Sequence, residues 1–208
     1  MIFSEMGFVP RKVQSEVNLP LLEDDLRRGR RGDINLVSRD IAYRYRTPYR
    51  SENIKYWLRI AVPTYETAEP KATATRISTP GNITYSVQAQ NLASIAHTTF
   101  RNNQTTILTR TVIRAFTKYI AYKAAEKKNK VLGFFTNLFV AATEVADTRS
   151  WVSLPHSIHI GRLDLAPGLH DITVETLDSG GKVLEKKVLS GIEIRPGKRT
   201  FLNHRTYE

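Results

Sequence analysis

The segment from Asp147 to Trp151 combines side chains able to do chemistry, since opposite charges two positions apart lie next to a large aromatic ring. Asp147 can pair with Arg149 or accept hydrogen bonds from backbone N–H groups, and a tryptophan ring can fill a core between sheet and helix. We expect Asp147, Arg149, Trp151 and Pro155 to form a structural junction between a helix and a strand. A binding notch is the alternative, in which Trp151 stacks on a sugar or peptide ring and Arg149 binds a carboxylate.

His156 and His159 are three residues apart, a spacing at which two imidazoles on a helix can share a metal ion. Pro155 and the alternation of Ile158 with Ile160 instead favour a strand, where this spacing sends the two histidines to opposite faces. The sequence therefore predicts no metal site.

Ser150, His170 and Asp171 have the side-chain types of a hydrolytic triad. No G-x-S-x-G turn supports that chemistry, and no Walker loop or G-x-G-x-x-G motif supports nucleotide binding. We predict a protein that is not an enzyme, with no catalytic residues and no cofactor. A hydrolase is the third functional alternative.

Arginines crowd around two glycines in LEDDLRRGRRGD, which we interpret as an exposed basic turn, and further arginines alternate with tyrosines downstream. In a strand, that alternation places the tyrosines inward and the arginines in solvent. The surface is suited to docking a protein, an anionic membrane or polymer, or a nucleic acid whose phosphates the arginines would neutralise. No RNP, KH or zinc-finger pattern accompanies it. The candidate binding residues are Arg27, Arg28, Arg30, Arg31, Arg44, Arg46, Arg149 and Trp151.

Composition sets the broad class of the protein. The 208 residues are 41% hydrophobic and 25% charged, as in soluble globular proteins, and the absence of cysteine excludes disulfides, thiol catalysis and iron–sulfur clusters. A net charge of +11 favours anionic partners. The longest nearly uncharged run, 131–143, is about half the ~20 residues that cross a bilayer, and the first residues lack the pattern of an export signal. We expect no transmembrane span.

Apolar periodicity divides the chain into a β-rich region, a helical insert and a second β-rich region. Period-two patterns predict early strands at 1–8, 13–19 and 35–62, with an edge strand around Ala72 to Ile77. Period-3.6 patterns predict a helix that Ser86 caps and 101–103 ends, a second helix at 105–128 and a third at 132–146. Strands return after Trp151, between turns at 167–168, 178–182 and 196–197.

The order of these regions predicts an α+β fold rather than alternating βαβ units. We expect a mostly antiparallel sheet or β-sandwich from N- and C-terminal strands, covered by two or three central helices. The chain is then a single domain over 1–208, with residues 1–85 β-rich, 86–147 forming the helical insert and 148–208 β-rich.

Residues 146–174, ADTRSWVSLPHSIHIGRLDLAPGLHDITV, resemble the C-terminal half of an uncharacterised family of bacterial envelope lipoproteins, as do TRTVIRAFTKYIAYKAAEKK and RPGKRTFLNHR. Family members commonly carry tetratricopeptide-like helical repeats in front of this half. The segments MGFVPRK and NLPL are similar to the residues with which this half begins in the family. The chain has neither the lipid-bearing cysteine nor the repeats, which suggests an excised domain or a truncated reading frame. The resemblance implies a periplasmic or cell-envelope location.

From the residues and the resemblance together we expect a non-catalytic interaction module of a bacterial envelope protein. Its partner would be a protein or an anionic envelope component, bound through the basic surface. The alternative is a basic nucleic-acid-binding domain. The sequence does not determine the oligomeric state or the identity of the partner.

Overall fold

A computed structural model describes residues 1–46, 54–128 and 145–207. In these ranges the chain forms three helices and ten strands, so the predicted α+β class with antiparallel sheets is confirmed. The strands are β1 (Ile2–Met6), β2 (Arg11–Leu22), β3 (Ile54–Glu66), β4 (Ala74–Thr79), β5 (Asn82–Tyr85), β6 (Val87–Asn91), β7 (Ser157–Gly161), β8 (Gly168–Leu177), β9 (Val183–Ile194) and β10 (Leu202–Thr206). The helices are α1 (Glu23–Arg30), α2 (Ile34–Arg46) and α3 (Leu92–Lys128).

The described residues cluster into two compact units. Unit 1 contains Met1–Arg11, Glu66–Thr98 and the chain from Ser150 onward, and unit 2 contains the described parts of Lys12–Tyr65 and Thr99–Arg149. Early strands contribute to both units, and so does the predicted helical insert.

Unit 1 is a β-sandwich of two four-stranded sheets, in the orders β10-β1-β7-β6 and β5-β4-β8-β9. The strand pairs are antiparallel except β1 with β10, which is parallel, so the first and last strands of the chain share a sheet as predicted. Ile2 from one sheet packs in a common core with Ile77 and Val174 from the other. The strand predicted around Ala72 to Ile77 is present as β4, but its predicted position at the edge of a sheet is wrong, because β4 pairs on both sides.

Strand β7 has its polar side chains turned into the sandwich. Ser157 and His159 are buried, whereas Ile158 and Ile160 are partly exposed on the outer face of the sheet. His156, just before β7, is also buried, so both histidines are shielded from solvent. The outer face of this sheet is consequently more apolar than the solvent side of a sandwich usually is.

A row of buried polar side chains crosses the same sheet. Ser4 is paired in register with His204 on one side and His159 on the other. The Nε2 atom of His159 lies 3.2 Å from Ser157 Oγ, and that of His204 lies 3.1 Å from Thr176 Oγ1. Burial lowers the pKa of both imidazoles below the ordinary 6.5.

This burial predicts that unit 1 loses stability in mild acid. Below pH 6.5 the unfolded chain binds protons that the folded chain excludes, so stability is complete above that pH and falls as the pH decreases through the lower folded pKa values. For every pH unit by which its pKa is lowered, each histidine contributes about 1.4 kcal/mol to the free energy of unfolding. This contribution is lost once the pH is below the folded pKa. Urea unfolding at pH 8 and pH 5.5 measures the loss, and we expect His159→Gln and His204→Gln each to reduce it. An equal loss in wild type and both variants would contradict this origin.

Unit 2 consists of the strand pair β2–β3 and the helices that pack on it. Arg11 at the start of β2 binds Glu66 at the end of β3, and Arg59 binds Glu16 between them, as in an antiparallel pair. The core draws on every element of the unit: Leu19, Leu21, Leu26, Val37, Ile41, Ala42, Leu58, Ile60, Leu108, Val112, Ala115, Phe116 and Tyr119.

The predicted basic turn is instead the helix α1, which ends in a turn at Gly32. Acidic residues occupy its first turn and arginines its last, an arrangement that the helix dipole favours. The N–H of Leu22 donates to Asp25 Oδ2 at 2.9 Å, which satisfies one free donor at the start of the helix. Gly32 adopts a φ of 103°, where glycine is favoured, and α2 begins two residues later.

The prediction of a strand from Asn35 through Tyr45 is wrong, because this segment belongs to α2. Val37, Ile41 and Ala42 are buried at helical spacing, whereas Tyr43 is 70% exposed. The prediction placed the tyrosines inward and the arginines in solvent. The structure shows the reverse for Tyr43 and Arg44, since Tyr43 is exposed and the Arg44 side chain is largely buried.

The two helices predicted on either side of 101–103 are one continuous helix, α3. Ser86 does not cap it, because the strand β6 intervenes and Asn91 Oδ1 accepts from the N–H of Ser94 at 2.7 Å. The helix predicted at 132–146 lies, except for its last two residues, outside the described residues, and those two are not helical. In the described ranges no helix is long and apolar enough to cross a membrane.

Candidate functional site

The arginines proposed for binding are largely occupied by neighbouring aspartates. Arg27 binds Asp24 at 2.6 Å, and Arg28 binds Asp40 at 2.9 Å. The pKa of Asp24 is lowered chiefly by its hydrogen bond from Arg27. Much of the positive charge that the sequence places here is therefore neutralised within α1 and α2.

Arg44 has the most buried of these pairs. Its Nη2 lies 2.5 Å from Asp25 Oδ2, and the two side chains are 14% and 5% exposed. Arg30 and Arg31 are exposed, and Arg46 ends α2. Apart from Arg46, these arginines are thus one buried structural residue, two paired surface residues and two exposed ones.

Asp147 and Arg149 form the local pair that the sequence predicts. Arg149 Nε and Nη2 lie 3.0 Å from the two carboxylate oxygens, and its backbone N–H donates to Oδ1 at 3.2 Å. The hydrogen bond from the Arg149 side chain is the main reason why the pKa of Asp147 falls to about 2. Because its guanidinium is already engaged by a carboxylate, Arg149 is a poor receptor for a second one. This pair belongs to unit 2, whereas Trp151 belongs to unit 1.

Trp151 does not fill a core, contrary to the structural role expected for it. Its side chain is 73% exposed, while Pro155 four residues later is buried. A short turn holds this segment, in which the N–H of Leu154 donates to the Trp151 carbonyl at 3.4 Å. The binding alternative for Trp151 remains a prediction, since the ring faces solvent.

Two strand ends bring further aromatic rings next to this turn. Phe8 stacks on Tyr207 with 5.3 Å between ring centroids, and the Arg205 guanidinium lies 5.5 and 5.3 Å from the two rings. Arg205 Nη2 donates to the Ser153 carbonyl at 2.6 Å, and Nη1 lies 3.3 Å from Glu5 Oε2. We call the exposed cluster formed by Phe8, Trp151, Val152 and Tyr207 the aromatic patch.

Further apolar side chains lie on the outer face of the same sheet, separated from the aromatic patch along β1 by Glu5. Phe3 stacks on Phe201 at 6.1 Å, and the register places Phe3 between Asn203 and Ile160, with Val87 beyond. Phe201 and Val87 are more than half exposed. No local motif marks Phe3, Phe8, Phe201 or Tyr207 in the sequence, and only the β1–β10 pairing brings the two chain ends together.

Within the described residues, the histidines do not form the hydrolytic triad or the metal site that were considered from the sequence. His170 and Asp171 each engage backbone groups, since His170 Nε2 lies 2.8 Å from the Ala166 carbonyl and Asp171 accepts from the N–H of Gly191 at 2.8 Å. As adjacent strand residues they face opposite sides of the sheet, which does not suit a triad. Over the described parts of the chain no three His, Asp or Glu side chains are placed to hold a metal ion.

Comparisons with known proteins identify no relative of this chain. No family model matches it, and searches of the curated proteins and of the solved structures found no match. The resemblance to envelope lipoproteins stays an expectation, and a function has to be argued from the surface itself.

Proposed function

We propose that this chain is a non-catalytic binding module that docks on a partner protein through the aromatic patch of unit 1. The observation that carries the proposal is the exposure of two aromatic rings against Arg205 at one end of the sandwich, with a third exposed ring, Trp151, two residues before Ser153, whose carbonyl accepts from that arginine. Trp151 is 73% exposed, Tyr207 67% and Phe8 46%. Trp, Tyr and Arg are the residues most enriched in the energetic centres of protein interfaces, and contiguous exposed apolar surface marks interaction sites.

Charge around the patch favours an apolar partner segment over an anionic one. Arg205, which lies against Phe8 and Tyr207, is held by Glu5 and a backbone carbonyl, so its guanidinium has little net field to offer an anion. The guanidinium nevertheless lies against both stacked rings, which keeps those rings in place before a partner arrives. A preorganised aromatic surface loses little conformational entropy on binding.

A nucleic-acid function receives less support from the arrangement of charge. Arg27, Arg28 and Arg44 are bound to aspartates, which offsets their attraction for phosphates. A cell-envelope setting for the module rests on the sequence resemblance alone.

A photo-crosslinker at Val152 tests the proposal in the cells that produce the protein. We expect one discrete protein adduct, and we expect that protein, once purified, to bind wild type with weak dependence on salt. Trp151→Ala and Tyr207→Ala should each weaken binding about tenfold or more. Leu169→Ala is the matched control, because Leu169 is 74% exposed in the same unit but lies on β8.

Three results would count against this function. Binding that the patch variants leave unchanged would move the interface elsewhere, and adducts only to glycan would favour the sugar-stacking alternative. Concentration-dependent dimerisation abolished by Trp151→Ala would mean that the patch joins two copies of the chain.

The same variant makes a separate prediction about stability. The Trp151 ring of the wild type is mostly in water. Trp151→Ala should therefore change the free energy of unfolding by no more than about 0.5 kcal/mol. Chemical denaturation of wild type and variant measures the difference. A loss of about 3 kcal/mol or more would restore the core role predicted from the sequence.

A further inference from the structure

A second feature of unit 1 lies at the end of the sandwich where β7 and β9 finish. A pocket of about 240 Å³ opens between the segment Arg162–Leu165, which follows β7, and the connection Lys198–Thr200, which leads from β9 to β10. Met1 and Ile194 complete its lining. None of these residues belongs to the aromatic patch.

Cationic side chains surround the mouth of this pocket. Arg162, Lys198 and Arg199 line it, against one carboxylate, Asp164. Arg162 binds Asp164 through Nε and Nη2, both to the same oxygen at 3.0 and 2.9 Å. Lys198 and Arg199 are exposed, and the side chains around the pocket leave a net charge of two positive.

Backbone contacts hold the two cationic segments in place. The Asp164 carbonyl accepts from Asn82 Nδ2 at 3.0 Å, which ties the first segment to β5. The Lys198 N–H donates to the Arg195 carbonyl at 3.2 Å, and Gly197 has a φ of 65°, as a tight turn requires. Thr200 Oγ1 donates to the Glu193 carbonyl at 3.2 Å. The cations are therefore presented by fixed turns rather than by free chain.

The floor of the pocket is apolar and leads toward the core. Leu163, Leu165 and Ile194 line it and also border a small interior cavity of about 20 Å³ beside Ile2 and Ile77. A volume of about 240 Å³ is below the range of about 300–1,000 Å³ typical for whole drug-sized ligands. The site suits one compact anionic group whose remaining atoms contact apolar surface or extend into solvent.

We propose that this pocket binds a phosphate group, with Lys198 and Arg199 as its receptors, while Arg162 stays paired with Asp164 at the border of the site. Arginine offers a planar pair of N–H donors to phosphate oxygens and lysine a point charge, and a site with both holds a tetrahedral anion from more than one side. The phosphate belongs to a lipid headgroup or to a soluble phosphorylated molecule, and the pocket chemistry is the same for both.

Amide chemical shifts measured against sodium phosphate test the site directly, with sodium chloride at matched ionic strength as the reference. Saturable shifts confined to Arg162–Leu165 and Lys198–Thr200 are expected. The double variant Lys198→Gln and Arg199→Gln should bind about tenfold or more weakly, since it removes two charge-assisted contacts from exposed positions. Lys182→Gln is the matched control, because Lys182 lies in the turn at the opposite end of β9 and should bind as wild type does.

Vesicles distinguish the two sources of the phosphate. Binding to phosphatidylglycerol vesicles but not to phosphatidylcholine vesicles, lost in the double variant and kept in Lys182→Gln, would support a lipid headgroup. Phosphate-dependent shifts without vesicle binding would support a soluble ligand. Shifts equal to those in chloride, or an equal loss in the control, would overturn the proposal while leaving the aromatic patch untested by the same data.

Discussion

Replacing Phe116 by alanine is expected to lower the free energy of unfolding of unit 2 by about 3–5 kcal/mol, the cost of deleting a fully buried aromatic ring. Phe116 is 0% exposed and lies in the core that joins α1, α2 and α3 to the strand pair. Because most helical residues belong to unit 2, the loss of helical circular dichroism during urea unfolding follows this unit. A change below about 1 kcal/mol would contradict the packing described.

The contact between Phe116 and Gly29 makes the prediction sharper. A Cβ at Gly29 would lie 2.6 Å from Cζ of Phe116, closer than two carbons approach. Alanine is favoured over glycine in a helix by about 1 kcal/mol, whereas overpacking a core costs about 1–3 kcal/mol. Gly29→Ala should therefore destabilise wild type.

The sign of the Gly29→Ala effect should reverse once the ring is gone. In the Phe116→Ala background only the end of the flexible Ile120 side chain remains close, at 3.2 Å, and the added methyl group keeps its helix propensity, so the same change should be neutral or stabilising by up to about 1 kcal/mol. The four proteins form a double-mutant cycle measured by the same unfolding experiment. An equal destabilisation by Gly29→Ala in both backgrounds would show that the ring is not what excludes the methyl group.

The strands of unit 1 other than β5 and β6 could be located from the sequence, but the faces they present could not. Turns at 167–168, 178–182 and 196–197 bound the observed strands β8, β9 and β10 closely. In β7, however, Ser157-Ile158-His159-Ile160 alternates equally well with either set inward. The choice depends on the side chains of the opposite sheet, where Thr176 offers a hydroxyl group to His204 of the sheet that contains β7. Period-two patterning predicts that the segment is a strand, but tertiary contacts decide which of its two faces is buried.

The helical errors have a similar physical origin. Ile41, Tyr43 and Tyr45 fit a strand, but Ile34, Val37 and Ile41 fit a helix over a longer stretch, and the longer amphipathic stripe packs against the core. Asn102 and Asn103 have poor helix propensity, yet α3 continues through them. Favourable packing of the flanking helical turns outweighs the helix-propensity cost of the two asparagines, which is about a few tenths of a kcal/mol per residue.

The aromatic patch could not be predicted because its members come from distant parts of the sequence. Trp151 is noticeable from its neighbours, whereas Phe8 and Tyr207 look like isolated aromatics at strand ends. Only the parallel pairing of β1 with β10, followed by the hydrogen bond from the Gly7 N–H to the Thr206 carbonyl, sets the two rings side by side.

Arg44 is expected to be a structural residue, so Arg44→Gln should destabilise unit 2 by about 3 kcal/mol. Asp25 is 5% exposed and accepts from both Arg44 Nη2 and the N–H of Leu22. Removing the guanidinium leaves a buried carboxylate without its close cation, which loosens the start of α1 together with its contact to α2. The same urea unfolding experiment measures the change.

Exposed arginines of the same group provide the comparison for Arg44. Arg30→Gln should change stability by no more than about 0.5 kcal/mol, because Arg30 lies in solvent. The double variant Asp25→Asn with Arg44→Gln should recover part of the Arg44→Gln loss, since no buried charge then lacks a partner. If Arg44→Gln kept full stability and instead weakened binding to an anionic polymer such as random DNA, Arg44 would belong to a binding surface, as the sequence alone suggested.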